Sequence, residues 1–272
     1  MTKDDSMPID FCPIASGSSG NSVYISVGET RMLVDAGLSG VRIEKGLKAI
    51  DVDASTIDAI FITHEHGDHI QGACILSRRF DIPVYATPKT WGVMEKNRNI
   101  GSIAKHNKQF VYAGENLILG DAHIRPFAIE HDAAEPVGYN IFAENTKITV
   151  TTDIGCVTDE LKENVADSDV LLIESNHDVD MLMNGSYQYH LKQRILSDKG
   201  HLSNVNCGKL LAEIMTAKLK HIYLGHLSQD NNRPALAFET VANILQANGI
   251  TLGGEKNLYL AERSGVSRKL TL

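Results

Sequence analysis

Ile60-Phe61-Ile62-Thr63-His64-Glu65-His66-Gly67-Asp68-His69 is the stretch from which the rest of this chain can be read. The β-branched and aromatic run Ile60–Thr63 predicts the end of a strand. Four candidate metal ligands, His64, His66, Asp68 and His69, follow within six positions. A loop leaving a strand aims alternate side chains, here His64 and His66, into one cavity. Gly67 reads as the turn that lets Asp68 and His69 point inward from the start of a helix. Three imidazoles and a carboxylate exceed the three protein ligands of an ordinary catalytic zinc. The spacing therefore suggests two metals sharing one loop.

Working outward, the 272 residues leave one α/β domain or two small ones open. A hydrophobic share of 43% with 22% charged residues places the chain among ordinary globular proteins rather than disordered ones. No apolar run approaches the roughly 20 residues needed to span a bilayer, and no membrane partner is expected. Met1-Thr2-Lys3-Asp4-Asp5-Ser6 lacks the apolar core of a signal peptide. Cys12, Cys74, Cys156 and Cys207 form no CxxC pair, so idle thiols in a cytoplasmic protein are expected.

The net charge of −8 argues against a general nucleic-acid coat, because phosphate contacts need Lys and Arg. A local track remains between Lys89 and Lys108, where Lys89, Lys96, Arg98, Lys105 and Lys108 face one acid, Glu95, with Trp91 and His106 among them. The same residues would equally suit a solvated helix face.

Hydrophobic patterning predicts strands around Asn21–Val27, Arg31–Asp35, Asp58–Thr63, Pro83–Ala86, Gln109–Tyr112, Ala122–Ile129, Val137–Ala143, Lys147–Thr152, Val170–Ile173 and His221–Leu224. Helices are expected over Val41–Ile50 and Ile70–Arg79, with a last one opened by Pro234 and stopped at Gly249. Clustered strands with interspersed helices imply one layered α/β domain over residues 1–272. Further ligands for a second metal should again sit at strand ends. His131, after Ala122–Ile129, Asp153, after Lys147–Thr152, and His226, after His221–Leu224, meet that condition.

With these residues in view, the chain resembles the metallo-β-lactamase-fold hydrolases. Their signature HxHxDH with distant His, Asp and His is matched at His64, His66, Asp68, His69, His131, Asp153 and His226. The resemblance implies an α/β (α+β) four-layer αββα sandwich, two mixed sheets flanked by helices, with two divalent metals at one edge. His64, His66 and His131 would hold one ion, Asp68, His69 and His226 the other, and Asp153 would bridge. Imidazole suits zinc, while Asp68 and Asp153 make manganese or iron compatible. Two such ions can activate a hydroxide for in-line displacement, for which phosphodiesters are the natural substrate.

The substrate is argued from outside that set. Ser16-Gly17-Ser18-Ser19-Gly20-Asn21-Ser22 offers small residues and donors for close approach to an anion; a plain hairpin turn is the simpler reading. Ser18, Ser19, Asn21 and Asn204 are the candidate substrate-binding residues. Glu174 closes the strand Val170–Ile173, and His201 precedes a helix in Gly200-His201-Leu202-Ser203-Asn204. A carboxylate orienting an imidazole suits a general acid, though a surface acid and a helix-entry residue would look the same. The resemblance gives His201 the leaving-group acid, Glu174 its orientation and Asp68 the attacking water.

Ala15–Ser22, Leu33-Val34-Asp35-Ala36-Gly37, Thr63–His69, Glu130-His131-Asp132-Ala133 and Gly200–Asn204 narrow the resemblance to the bacterial WalJ (YycJ) group. That implies a 5′-to-3′ exonuclease on double-stranded DNA with a role in mismatch repair. Only 73 positions separate Asp153 from His226, too few for the inserted domain of β-CASP nucleases. A small-molecule phosphodiesterase or a glyoxalase-type thioester hydrolase is the alternative enzyme, favoured by the acidic balance. A regulatory partner of a two-component system is the non-enzymatic one. Assembly into a homo-oligomer is compatible with all three.

Overall fold

The computed structural model describes residues 7–272; the reading of Met1–Ser6 falls outside them. Two seven-stranded sheets face each other. The first runs, in spatial order, Leu270–Thr271 (β14), Ile9–Ala15 (β1), Ser22–Val27 (β2), Thr30–Val34 (β3), Ala59–Phe61 (β4), Val84–Ala86 (β5) and Lys108–Phe110 (β6). The second runs Asn257–Leu260 (β13), His221–Gly225 (β12), Val170–Glu174 (β11), Thr146–Thr151 (β10), Val137–Ala143 (β9), Ala122–Ala128 (β8) and Leu117–Leu119 (β7). Both sheets are mixed: β14-β1-β2-β3 is antiparallel and β3-β4-β5-β6 parallel, while β7-β8-β9-β10 is antiparallel and β10-β11-β12-β13 parallel.

Successive residues of a strand face opposite sides, and here both sides are dry. Phe11, Ile25, Met32 and Phe61 of the first sheet meet Tyr139, Ile148, Val170 and Leu172 of the second in the central core. Their neighbours Cys12, Tyr24, Leu33 and Ile60 turn outward against Gly40–Lys48 (α1), Ala73–Phe80 (α3) and Pro88–Met94 (α4). Leu171, Ile173, Ile222 and Leu224 likewise pack on Asp159–Val165 (α5), Asn204–Ile214 (α8) and Pro234–Ala247 (α9). That explains the near-continuous apolar runs in β11 and β12. Each buried Ile, Leu or Phe contributes about 1.5–3 kcal/mol, so three such clusters make a rigid αββα frame.

The helix expected over Ile70–Arg79 is two helices, Gly67–Ile70 (α2) and α3. They divide because Gly72 presses on the loop after β3. Its amide donates to the Ala36 carbonyl at 2.7 Å, and a Cβ there would lie 2.4 Å from the Leu38 carbonyl oxygen. Gly67 itself has no left-handed φ, and a Cβ on it would meet nothing within 4 Å. The turn into α2 is therefore made without glycine's special freedom, contrary to the expectation. Val179–Asn184 (α6) and Tyr189–Ile195 (α7) were not foreseen; α7 buries none of its residues. No helix among the described residues is long and apolar enough to cross a membrane.

Candidate metal centre

The strand ends converge on one edge of the sandwich. Asp35, Asp153 and His226 follow β3, β10 and β12, and each has a positive φ of 62°, 59° and 53°. Left-handed backbone at a non-glycine residue costs of order 1–3 kcal/mol and persists where its surroundings impose it. Here it turns three strand ends back toward the same cavity.

His64, His66 and His131 bring ligand atoms within 4.8 Å of one another, and so do Asp68, His69 and His226. Asp153 lies between the two groups. Its Oδ2 is 3.2 Å from His69 Nε2, and its Oδ1 is 3.7 Å from His131 Nε2 and 3.5 Å from His226 Nδ1. Asp68 Oδ2 stands 3.6 Å from His69 Nε2 and 3.5 Å from His226 Nε2.

Four imidazoles are held by the same device. His64 Nδ1 contacts Thr63 Oγ1 at 3.0 Å, His69 Nδ1 contacts Asp35 Oδ2 at 2.7 Å, and His131 Nδ1 contacts the Gly200 carbonyl at 3.0 Å. His226 Nδ1 contacts Glu174 Oε1 at 2.8 Å. Each ring is thus gripped by Nδ1 and turns Nε2 inward, as metal-ligating histidines are. Among the described residues, buried His64 Nε2, Asp153 Oδ2 and His226 Nε2 have no hydrogen-bond partner. Stranding one such group costs about 1–3 kcal/mol, and three in one cavity mark it as built around something else. His69 Nε2 and Asp153 Oδ2, 3.2 Å apart, also need a proton or a cation between them.

The electrostatics agree. Burial alone would lower the pKa of His226, but Asp153, Asp68 and Glu174 lift it to about 10. Burial opposes protonation of His69 too, yet Asp35, Asp153 and Asp68 pull it well above the usual imidazole value. Burial, reinforced by neighbouring rings, holds His64 well below that value, and burial lowers His131. Asp153 is pushed up by burial but pulled well below the carboxylate range by His226 and His69. The carboxylate field that draws protons onto His69 and His226 also draws cations, and imidazole with carboxylate suits a divalent one.

Asp35 was quoted in the sequence only as part of a motif, yet it orients this half of the site. Besides His69 it takes the Thr63 amide on Oδ1 at 2.8 Å. The replacement Asp35→Asn is expected to weaken metal affinity about 10- to 100-fold with the fold intact; competition with a chromophoric chelator measures it.

Glu174 is fully buried and saturated. Oε2 accepts from the amides of Ile154 and Leu202 at 2.7 and 3.0 Å, and Oε1 accepts from His201 Nδ1 and His226 Nδ1 at 2.9 and 2.8 Å. Burial pushes its pKa up, but His201 and these hydrogen bonds outweigh that and hold it at about 2. It is no surface acid. His201, in turn, is disfavoured as a cation by burial and more than compensated by Glu174, which raises its pKa. For Glu174→Ala we expect a stability loss of about 3–5 kcal/mol, since two amides and two imidazoles lose their common acceptor; urea unfolding of metal-free protein reads it.

The expected substrate-binding residues divide. Ser18 and Ser19 are exposed on the loop after β1. Asn21 is buried beneath it, accepting the Gly17 amide at 2.9 Å and lying 3.1 Å from His69 Nε2. Asn204 does not face a ligand. It is fully buried, and its amide group is taken by Ser175 Oγ at 2.7 Å and by Asn232 at 2.9–3.0 Å. It fastens α8 to the loops after β11 and β12. The Lys89–Lys108 track is also less free than it reads: Lys89 pairs with Glu135 and Lys108 with Glu95, and Trp91 is core, donating to the Gln109 carbonyl.

Comparison with known proteins fits this geometry. Residues 30–226 match the profile described as "Beta-lactamase superfamily domain". The chain is 41% identical over 247 residues to Exodeoxyribonuclease YycJ of Bacillus anthracis, covering 91% of this chain and 93% of that one. It is also 41% identical over 246 residues to Exodeoxyribonuclease WalJ of Streptococcus pneumoniae, covering 90% and 91%. The crystal structure of the metallo-beta-lactamase fold protein YhfI from Bacillus subtilis superposes with a TM-score of 0.72 over 98% of this chain and 100% of that one. Its 15% identity supports the fold alone.

Proposed function

Since the chain belongs to the beta-lactamase superfamily and, within it, to the family of the YycJ and WalJ exodeoxyribonucleases, we propose that it is a metal-dependent 5′-to-3′ exonuclease on double-stranded DNA, acting as one domain in mismatch repair. Membership of a hydrolase family sets aside the non-enzymatic reading. The observation that carries the proposal is the meeting of seven candidate ligands, three with stranded buried atoms, beside the Glu174–His201 pair.

His64, His66 and His131 would hold one divalent ion and Asp68, His69 and His226 a second, with Asp153 shared; zinc and manganese both suit these donors. Bound there, the ions would acidify a water and offset the charge of a phosphodiester. Asp68, partly open to solvent, would accept a hydrogen from such a water and orient it. Its Oδ2 accepts from Asn21 Nδ2 at 3.4 Å. Glu174 holds His201 through Nδ1, so the proton available to a departing oxygen sits on Nε2. The hydroxyls of Ser18 and Ser19, on the exposed loop, would donate to phosphate oxygens.

Incubating the metal-loaded protein with 5′-labelled duplex DNA and, separately, with bis(p-nitrophenyl) phosphate tests the reading. Release of labelled mononucleotide from the duplex is expected. Hydrolysis of the small ester with an untouched duplex would favour the small-molecule phosphodiesterase instead.

A further inference from the structure

Beside His201 the surface opens into a cavity of about 180 Å³, and the proposed chemistry leaves its Tyr187, Leu191 and Arg194 unused. Ser18, Ser228, Tyr187, Leu191 and Arg194 line it together with His201. It is smaller than the roughly 300–1,000 Å³ that hold drug-sized ligands, a size that suits the sugar-phosphate part of one nucleotide.

Arg194 is the unusual member. It lies on α7, the helix that buries nothing, and its guanidinium turns Nε and Nη2 to Asp132 Oδ2. A half-exposed pair of this kind contributes about 0–1 kcal/mol to stability, too little to explain a cation held beside the site. Asp132 connects it to the metal centre: the other oxygen, Oδ1, lies 3.3 Å from His131 Nε2. Nη1 makes no hydrogen bond among the described residues, so the guanidinium that lines the cavity keeps a donor to spare. Such a group suits phosphate.

Resting on the exonuclease reading, we propose that this cavity receives the departing 5′-terminal nucleotide, with Arg194 binding its 5′-phosphate. The bond that breaks is between phosphorus and the 3′-oxygen of the first nucleotide. A water oxygen adds to phosphorus, its proton leaving toward Asp68, and His201 gives a proton to the 3′-oxygen. The group beside His201 is therefore the nucleotide on the 5′ side of the scissile phosphate. A guanidinium on that side would bind a terminal phosphate, which favours starting at a 5′ end. Leu191 and Tyr187 offer the sugar an apolar wall, and Tyr187 is fixed by donating its hydroxyl to Asp230 at 2.8 Å.

The test compares kcat/KM for release of the first nucleotide by the metal-loaded full chain, on one duplex carrying a 5′-phosphate or a 5′-hydroxyl, since every later end is phosphorylated. Wild type is expected to prefer the phosphate about 10- to 100-fold, the range of a charge-assisted hydrogen bond. Arg194→Ala should cut that ratio at least ten-fold, mainly through KM. Arg194→Gln, which can still bond Asp132, should lose it equally, and Arg194→Lys should recover part. A wild-type ratio near one, or a ratio unchanged in Arg194→Ala, overturns the subsite while leaving the nuclease standing. Failure of wild type to digest either duplex while cleaving bis(p-nitrophenyl) phosphate overturns the exonuclease reading and the subsite with it.

Discussion

Asp153→Asn is expected to abolish duplex digestion, lowering kcat by on the order of 10³-fold or more, and to leave less than two metal equivalents bound per chain. The side chain keeps its size, so the effect isolates the charge. That charge sits within 3.2–3.7 Å of ring nitrogens of His69, His131 and His226. Each half of the centre depends on it: one group of ligands is three imidazoles with no other carboxylate, and the other has Asp68 alone. Two cations held by these ligands would then lack a shared anion. Elemental analysis together with a kinetic assay reads both consequences. Unfolding of metal-free protein separates them from misfolding, because there the Asn loses no metal contact.

His201→Ala is expected to behave differently. Its ring touches the ligand set only at the margin, 3.6 Å from Asp153 Oδ1, and is itself gripped by Glu174. Metal content should stay at the wild-type level while turnover on DNA falls about 10²- to 10⁴-fold, the ordinary worth of general acid catalysis. The 3′-oxygen of a nucleotide is a poor leaving group and needs the proton. A p-nitrophenolate leaves as a stable anion, so hydrolysis of bis(p-nitrophenyl) phosphate should fall far less. Equal losses on both substrates would make His201 a positioning residue rather than an acid.

The sequence carried the strand-end histidines and carboxylates because metal chemistry forces their type and spacing. His64, His66, Asp68 and His69 must leave one loop, and His131, Asp153 and His226 each end a strand whose apolar run is itself legible. The layered architecture followed from the same strands. Strands of two to four residues, such as β7, β13 and β14, are too short to show a period. The orienting groups were harder. Asp35 looks like any acid after a strand, and only the left-handed turn there puts it under His69. Glu174 was recognised as an orienter of His201, but its equal hold on His226 depends on β11 and β12 pairing in parallel, a long-range fact. Asn204 failed as a substrate residue because amides serve buried networks as readily as exposed ones, and local sequence does not distinguish the two.

The most direct test of the two-metal account is to titrate metal-free protein with manganese or zinc while following bound equivalents and release of 5′-labelled mononucleotide together. Two equivalents per chain should bind, with digestion appearing as the second site fills. Full activity at one equivalent, or digestion persisting in the metal-free protein, would contradict it.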